Sequence, residues 1–300
     1  QPWFVDHEAA VEKFEFDAMR EWAVEPGNWL LATVRVPLLD GGVRRFALPL
    51  ALAWGDEAEA RTTAPLHVTL AKVRRHARIG VLFDAYWDDG FCRAVVAAMV
   101  RGETLPLDQG ELRFRTAGGY PGSVGAEATP AIVRSVSERG RLRVNLDDRL
   151  VLKGYRWLAE GVHPELEMSR FLTETVKFPN VPQLAGTVEY VDAQGGSATA
   201  AIMECYAPNQ GDARSWTLDV LERYLDACRG NPDPAPDERH AGYVTQMKTL
   251  GRLTAEFHQA LALPDAAGAF GTEAVAADDL LEWVGRARHE MERLFELLEE

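Results

Sequence analysis

A lysine at the end of an apolar run, with a helical glutamate fourteen residues later, is the pattern in this sequence that could do chemistry. Arg149-Leu150-Val151-Leu152-Lys153 reads as a strand that ends on an ammonium group. Pro164-Glu165-Leu166-Glu167-Met168-Ser169-Arg170-Phe171-Leu172 reads as a helix, with proline at its first position and acids in its positive first turn. Glu167 stands one turn before Phe171, beside the apolar stripe of Met168, Phe171 and Leu172, so its carboxylate falls at the edge of a buried face. An unpaired charge in such a place costs roughly 3–5 kcal/mol, and Lys153 is the natural partner. A strand lysine paired with a helix glutamate is how kinases hold the α and β phosphates of ATP. A surface lysine and a solvated glutamate fit the same spacing, and spacing alone leaves both readings open.

The elements around that pair follow from periodicity. Residues 6–23 read as an amphipathic helix, with Val11, Phe14, Met19 and Trp22 at roughly helical spacing. Trp29 to Pro37 and Phe46 to Trp54 read as a hairpin about Asp40-Gly41-Gly42. Phe91 to Val100 reads as a short helix and Leu112 to Arg115 as a strand. The Gly- and Pro-bearing stretch from Gly118 to Pro130 has no periodicity and is the best domain boundary. Ile132 to Val136, Leu142 to Asn145 and Arg149 to Tyr155 read as successive strands, and the helix from Pro164 extends to about Val176. Thr187 to Val191 and Ala198 to Glu204 form a second hairpin about Gly195-Gly196. From Leu218 the pattern is helical, with stripes over 241–262 and 277–299 and an exposed linker over Pro232 to Asp237. The fold class expected is α+β. Residues 1–125 form a β-rich cap domain, 126–206 a lobe holding the Lys–Glu pair, and 207–300 the beginning of a helical lobe.

Bulk properties exclude other classes. The 300 residues carry a formal charge of −14, so phosphate backbones and anionic lipid are repelled and nucleic acid is an unsuitable partner. An apolar fraction of 47% supports a packed core, and no run reaches the about 18 apolar residues that a membrane span needs. The start shows no signal peptide. Cys92, Cys205 and Cys228 are scattered and odd in number, which suits free thiols in a reducing cytoplasm. The seven histidines have no zinc spacing, and His163, standing before Pro164, reads as a helix cap rather than a ligand.

Longer runs carry a family resemblance. Leu150-Val151-Leu152-Lys153, then Gly161-Val162-His163-Pro164-Glu165-Leu166-Glu167 and Phe171-Leu172-Thr173-Glu174, resemble the maltokinase family, including the kinase part of fused trehalose synthase–maltokinase proteins. The likeness continues through Phe178-Pro179-Asn180-Val181-Pro182 to Met203-Glu204-Cys205-Tyr206-Ala207-Pro208-Asn209-Gln210-Gly211-Asp212, its most specific part. It reaches Leu250-Gly251-Arg252-Leu253-Thr254-Ala255-Glu256-Phe257-His258, and Phe46-Ala47-Leu48-Pro49-Leu50 is similar to the family's cap domain. The resemblance implies a protein-kinase-like, aminoglycoside phosphotransferase-like fold. It implies ATP-dependent phosphorylation of maltose to maltose 1-phosphate in the cytoplasm, with Mg²⁺ as the metal and a trehalose synthase as partner or fusion domain. By that resemblance Lys153 binds phosphate, Glu167 orients it, and Glu204 and Tyr206 offer backbone groups to adenine. A kinase for an amino sugar and a non-catalytic nucleotide- or partner-binding module are the alternatives.

The sequence departs from the family in three places. The family's His-Gly-Asp catalytic loop and acidic metal motif belong after the helix at 277–299, and neither occurs in these residues. No Asp is therefore assigned as base, no metal ligand is named, and the 300-residue chain alone is expected to be inactive. Ser137-Glu138-Arg139-Gly140-Arg141-Leu142-Arg143 stands where the family has a polar phosphate loop, and Gln1-Pro2-Trp3-Phe4 keeps only part of the family's opening motif.

Overall fold

Alternating apolar residues build two antiparallel sheets. The computed structural model describes residues 13–38, 42–58, 68–122, 131–136, 142–230, 236–263 and 269–299. The first sheet contains β1 (Glu15–Val24), β2 (Gly27–Pro37), β3 (Val43–Trp54), β4 (Thr69–Arg75) and β5 (Arg78–Asp84), in the order β1-β2-β3-β5-β4. The expected hairpin of β2 and β3 is present, with Leu30 opposite Leu50 and Val34 opposite Phe46. Its turn at Asp40-Gly41 lies outside the described residues.

The helix expected over 6–23 is corrected to a strand from Glu15 onward, and residues 6–12 lie outside the described residues. Ala18 and Trp22 are buried, and a spacing of four fits both a helical turn and one face of a strand. Two other members of the expected stripe face solvent, Phe14 at 66% exposure and Met19 at 37%, and Val11 lies outside the described residues. Pairing decides the matter, because Trp22 stands opposite Trp29 in the β1–β2 ladder.

Helix α1 (Asp89–Arg101) follows β5. Asp88 caps it by accepting from the Phe91 N–H at 3.0 Å, and Gly102 ends it at φ 61°, a left-handed conformation that favours glycine. The second sheet contains β6 (Thr104–Pro106), β7 (Glu111–Thr116), β8 (Ile132–Val136), β9 (Leu142–Leu146), β10 (Leu150–Gly154), β11 (Leu184–Val191) and β12 (Ser197–Cys205). Their order is β6-β7-β11-β12-β10-β9-β8. The boundary expected near 125 falls between β7 and β8 of this sheet, and residues 123–130 lie outside the described residues.

One buried cluster runs through both sheets and α1, from Ala18 to Met203. Trp22 is its aromatic centre, stacked on Phe114 with centroids 5.7 Å apart and edge-on to Phe91 at 6.0 Å. The chain after β10 stitches the sheets together: the Ala47 N–H donates to the Arg156 carbonyl at 2.7 Å, and the Leu158 N–H to the Arg45 carbonyl at 2.8 Å. The Arg156 guanidinium pairs with the Asp84 carboxylate, both buried, and lies 4.8 Å from the centre of the Tyr86 ring. Tyr86 also packs on Gly154, where an added Cβ would come within 2.4 Å of the ring.

The rest of the chain is helical: α2 (Pro164–Arg170) between the sheet strands, then α3 (Ala213–Gly230), α4 (Pro236–Leu261) and α5 (Ala277–Glu299). The expected linker at 232–237 lies outside the described residues up to 235, and Pro236 already opens α4. The chain forms two compact units, 1–241 and 242–300. The architecture is α+β: a β-rich N-terminal part, a second sheet carrying α2, and a helical C-terminal part.

Trp22→Ala is expected to destabilise the protein by about 3–5 kcal/mol, as large core truncations do. Phe16→Ala, on the same strand but 59% exposed, should stay within about 0.5 kcal/mol of wild type. Urea midpoints of the two variants check this; equal losses would refute the assignment of faces on β1.

Candidate functional site

Strand β10 lies between β9 and β12, with Lys153 opposite Arg143 on one side and Ile202 on the other. Its alternation separates two faces. Leu150 and Leu152 join the core shared with the first sheet, whereas Lys153 shares its face with Ile202, against which α2 packs. Leu166 of α2 is fully buried against Ile202 and Leu184, with Tyr155 and Ala117 at its margin. That contact sets the rotation of α2 and so decides which carboxylate reaches the lysine.

The carboxylate is Glu165, not the Glu167 expected from the sequence. Lys153 Nζ lies 2.7 Å from Glu165 Oε1 and 2.6 Å from Glu204 Oε2. Glu167 is exposed, and no ion pair joins it to Lys153 among the described residues. The stripe that suggested Glu167 included Met168, which is 39% exposed; the buried face of α2 centres on Leu166 instead. Glu165 and Glu167 are two positions and so about 200° apart around a helix, and the buried face decides which of the two carboxylates turns to the lysine.

Glu165 is held from several sides. Tyr155 Oη donates to Glu165 Oε2 at 2.6 Å, and the Tyr155 ring stacks on His163 with centroids 3.9 Å apart. His163 caps α2 as expected, its Nδ1 accepting from the Glu165 N–H at 3.2 Å. Burial pushes the Glu165 carboxyl up, but the hydrogen bonds from Lys153 and Tyr155 and the charge of Lys153 outweigh it, and the net shift is downward. Past Arg170 the helix widens over Phe171–Thr175, where the Val176 N–H reaches back to the Phe171 carbonyl at 2.9 Å. Such wide turns occur often beside functional sites.

Glu204 enters the site by its side chain, which the sequence did not suggest. Its backbone is paired into the sheet opposite Val151 and Leu184, while its carboxylate is buried on Lys153. The signal was present in retrospect: Glu204 ends an almost wholly apolar run, Ala198 to Met203, where an acid needs a cation. The Tyr206 N–H is committed to the Arg149 carbonyl at 2.8 Å. The Asn-Gln-Gly-Asp run turns the chain into α3. Asn209 Oδ1 accepts from the Gly211 N–H at 3.2 Å, and Asp212 accepts from the Ser215 N–H at 2.8 Å and its hydroxyl at 2.9 Å. Those bonds, the Ser215 N–H first, hold the Asp212 carboxyl below its ordinary range. Most of the loop at 137–143 expected to cover phosphates lies outside the described residues; only Leu142 and Arg143, on β9, are described.

No family model matches the chain. Solved structures do. A glucosamine kinase in complex with glucosamine, ADP and inorganic phosphate is 20% identical with a TM-score of 0.53, over 97% of this chain and 55% of that one. Two other crystal forms of glucosamine kinase are likewise 20% identical, with TM-scores of 0.54 (97% of this chain, 55% of that chain) and 0.52 (93% and 51%). The chain has the fold of these kinases. It spans about half the length of the solved chains it matches. The expected kinase-like fold of mixed strands and helices is therefore the one observed.

Because the folded Glu165 carboxyl lies below its unfolded value, its contribution to stability is complete above the unfolded value and fades as pH falls through the folded one. Glu165→Gln should accordingly be less stable than wild type at neutral pH, by an amount constant down to about pH 5 and shrinking below it. Urea midpoints across the pH range test this; a deficit that grows on acidification would contradict the assignment.

Proposed function

We propose that this chain is the nucleotide-holding portion of an ATP-dependent sugar kinase. The observation that carries the reading is Lys153 at the end of β10, fixed by a carboxylate from α2, in a fold shared with sugar-kinase structures. In that geometry Lys153 grips phosphate oxygens, and Glu165 takes the orienting role that the sequence pattern assigned to Glu167. The segment Glu204 to Tyr206 runs at the edge of β10 and supplies the adenine contact. With the Tyr206 N–H committed to Arg149, the contact uses carbonyl oxygens of this segment, which accept from the exocyclic amine of adenine.

For the acceptor, the runs about Lys153, Glu165 and Asn209 support maltose, phosphorylated to maltose 1-phosphate with Mg²⁺ and a trehalose synthase as partner or fusion domain. A second reading, an amino sugar, is favoured by the glucosamine in one of the similar structures. Mg²⁺ would neutralise charge on the transferring phosphate. Among the described residues no group of three or more His, Cys, Asp or Glu side chains converges as a metal site, and we assign the metal ligands and the base to the part of the longer kinase that this chain does not span. We place the reaction in the cytoplasm, where ATP is available. No helix among the described residues is long and apolar enough to cross a membrane.

Calorimetry with ADP tests the nucleotide site. The 300-residue chain should bind, and Lys153→Ala should weaken binding by about tenfold or more, the loss of one charged contact of 1.5–3 kcal/mol. Sugar phosphorylation should be absent from this chain and present in the longer protein, faster with maltose than with glucosamine. No ADP binding would overturn the reading; transfer by the 300-residue chain would overturn its division of labour; preference for glucosamine would overturn the acceptor.

A further inference from the structure

We infer that Glu204 competes with nucleotide phosphate for Lys153. In the nucleotide-free protein it occupies the ammonium, and binding requires it to let go. The inference rests on the reading of Lys153 as the phosphate-gripping residue.

The Lys153 ammonium has three donors; one donates to Glu165 Oε1 at 2.7 Å, and Glu204 Oε2 makes an ion pair with the same nitrogen at 2.6 Å. One positive charge faces two negative ones, so these three side chains together carry a net charge of −1, with Arg143 opposite Lys153 on the neighbouring strand. The Lys153 and Glu204 side chains are 16% and 7% exposed, and charge interactions there are poorly screened by water. A phosphate chain, itself anionic, is repelled by such a site unless one carboxylate withdraws from the ammonium or becomes neutral.

The hydrogen bonds choose between the two carboxylates. Glu165 Oε2 is anchored by the Tyr155 hydroxyl at 2.6 Å, with Tyr155 stacked on the His163 that caps the same helix. Among the described residues, the second oxygen of Glu204 has only the Ser169 hydroxyl, at 3.4 Å, near the limit of a hydrogen bond. Glu165 is therefore built to stay and Glu204 to be displaced. Glu165 is a positioning residue for Lys153, and Glu204 sets how much nucleotide is needed to claim it.

The test uses ADP binding to the 300-residue chain by calorimetry. Glu204→Gln keeps the shape and removes the charge, and should tighten ADP binding about tenfold. Glu165→Gln should weaken it. Damage to the fold loosens binding, so a tighter variant separates competition from a merely structural role. Ser169→Ala, which removes the remaining hold on Glu204 without altering a buried charge, should tighten binding about twofold and serves if Glu204→Gln does not fold. If Lys153→Ala loses binding while Glu204→Gln and Ser169→Ala bind no tighter than wild type, the competition is refuted and the nucleotide site stands. If Lys153→Ala binds ADP like wild type, the nucleotide site and the competition fall together.

Discussion

The buried pair of Arg156 and Asp84 is the contact on which the rest of the first compact unit depends. Asp84 ends β5 of the first sheet, and Arg156 leaves β10 of the second, so one ion pair ties the last strand of one layer to the lysine strand of the other. Losing either partner would strand a buried charge, which is far more costly than losing a surface pair. The same arginine lies on the Tyr86 ring and sends its carbonyl to the Ala47 N–H, so charge, ring and backbone converge on one residue. Arg134 of β8 adds a second stitch, donating to the Tyr86 carbonyl at 2.8 Å and pairing with Asp89 at 2.7 Å. Strands β8 and β10 are thus both referred to the short segment from Asp84 to Asp89.

Most of the fold was legible because its strands alternate and its turns carry glycine. β2, β3, β7 to β10 and the hairpin of β11 and β12 follow from pattern alone, as do α1, α4 and α5. What escaped was ambiguous in physical terms. A spacing of four fits one face of a helix and of a strand, which is why β1 passed for a helix; only its partner β2 decides. β4, with its basic sequence from Lys72 to Arg75, has no apolar alternation to announce it, because it is an edge strand exposed along most of its length.

The ion pair at Lys153 was legible in kind, and the identity of its helix partner was not. Lys153 was recognisable as a charge closing a buried strand, and an acid on the following helix was the right chemistry to seek. Glu165 and Glu167 differ by two positions, and the choice between them depends on how deeply Leu166 sinks against Ile202, a tertiary fact. Glu204 was valued for its backbone, and the pairing of its carboxylate with the lysine was not foreseen. The Asn-Gln-Gly-Asp run, the most distinctive stretch by resemblance, serves locally as a turn and a cap for α3.

The contact of Tyr86 with Gly154 has a thermodynamic consequence. Gly154 is the residue after Lys153, and its missing side chain lets a ring from the N-terminal part press directly on the lysine strand. A ligand that displaces Tyr86 when it binds the first sheet would displace that strand as well, and work done at one place would appear at the other. Linkage makes the relation reciprocal: whatever factor such a ligand applies to affinity at Lys153, occupancy of Lys153 applies to the ligand. With no side chain at position 154, nothing stands between the Tyr86 ring and the backbone of the strand that carries the lysine.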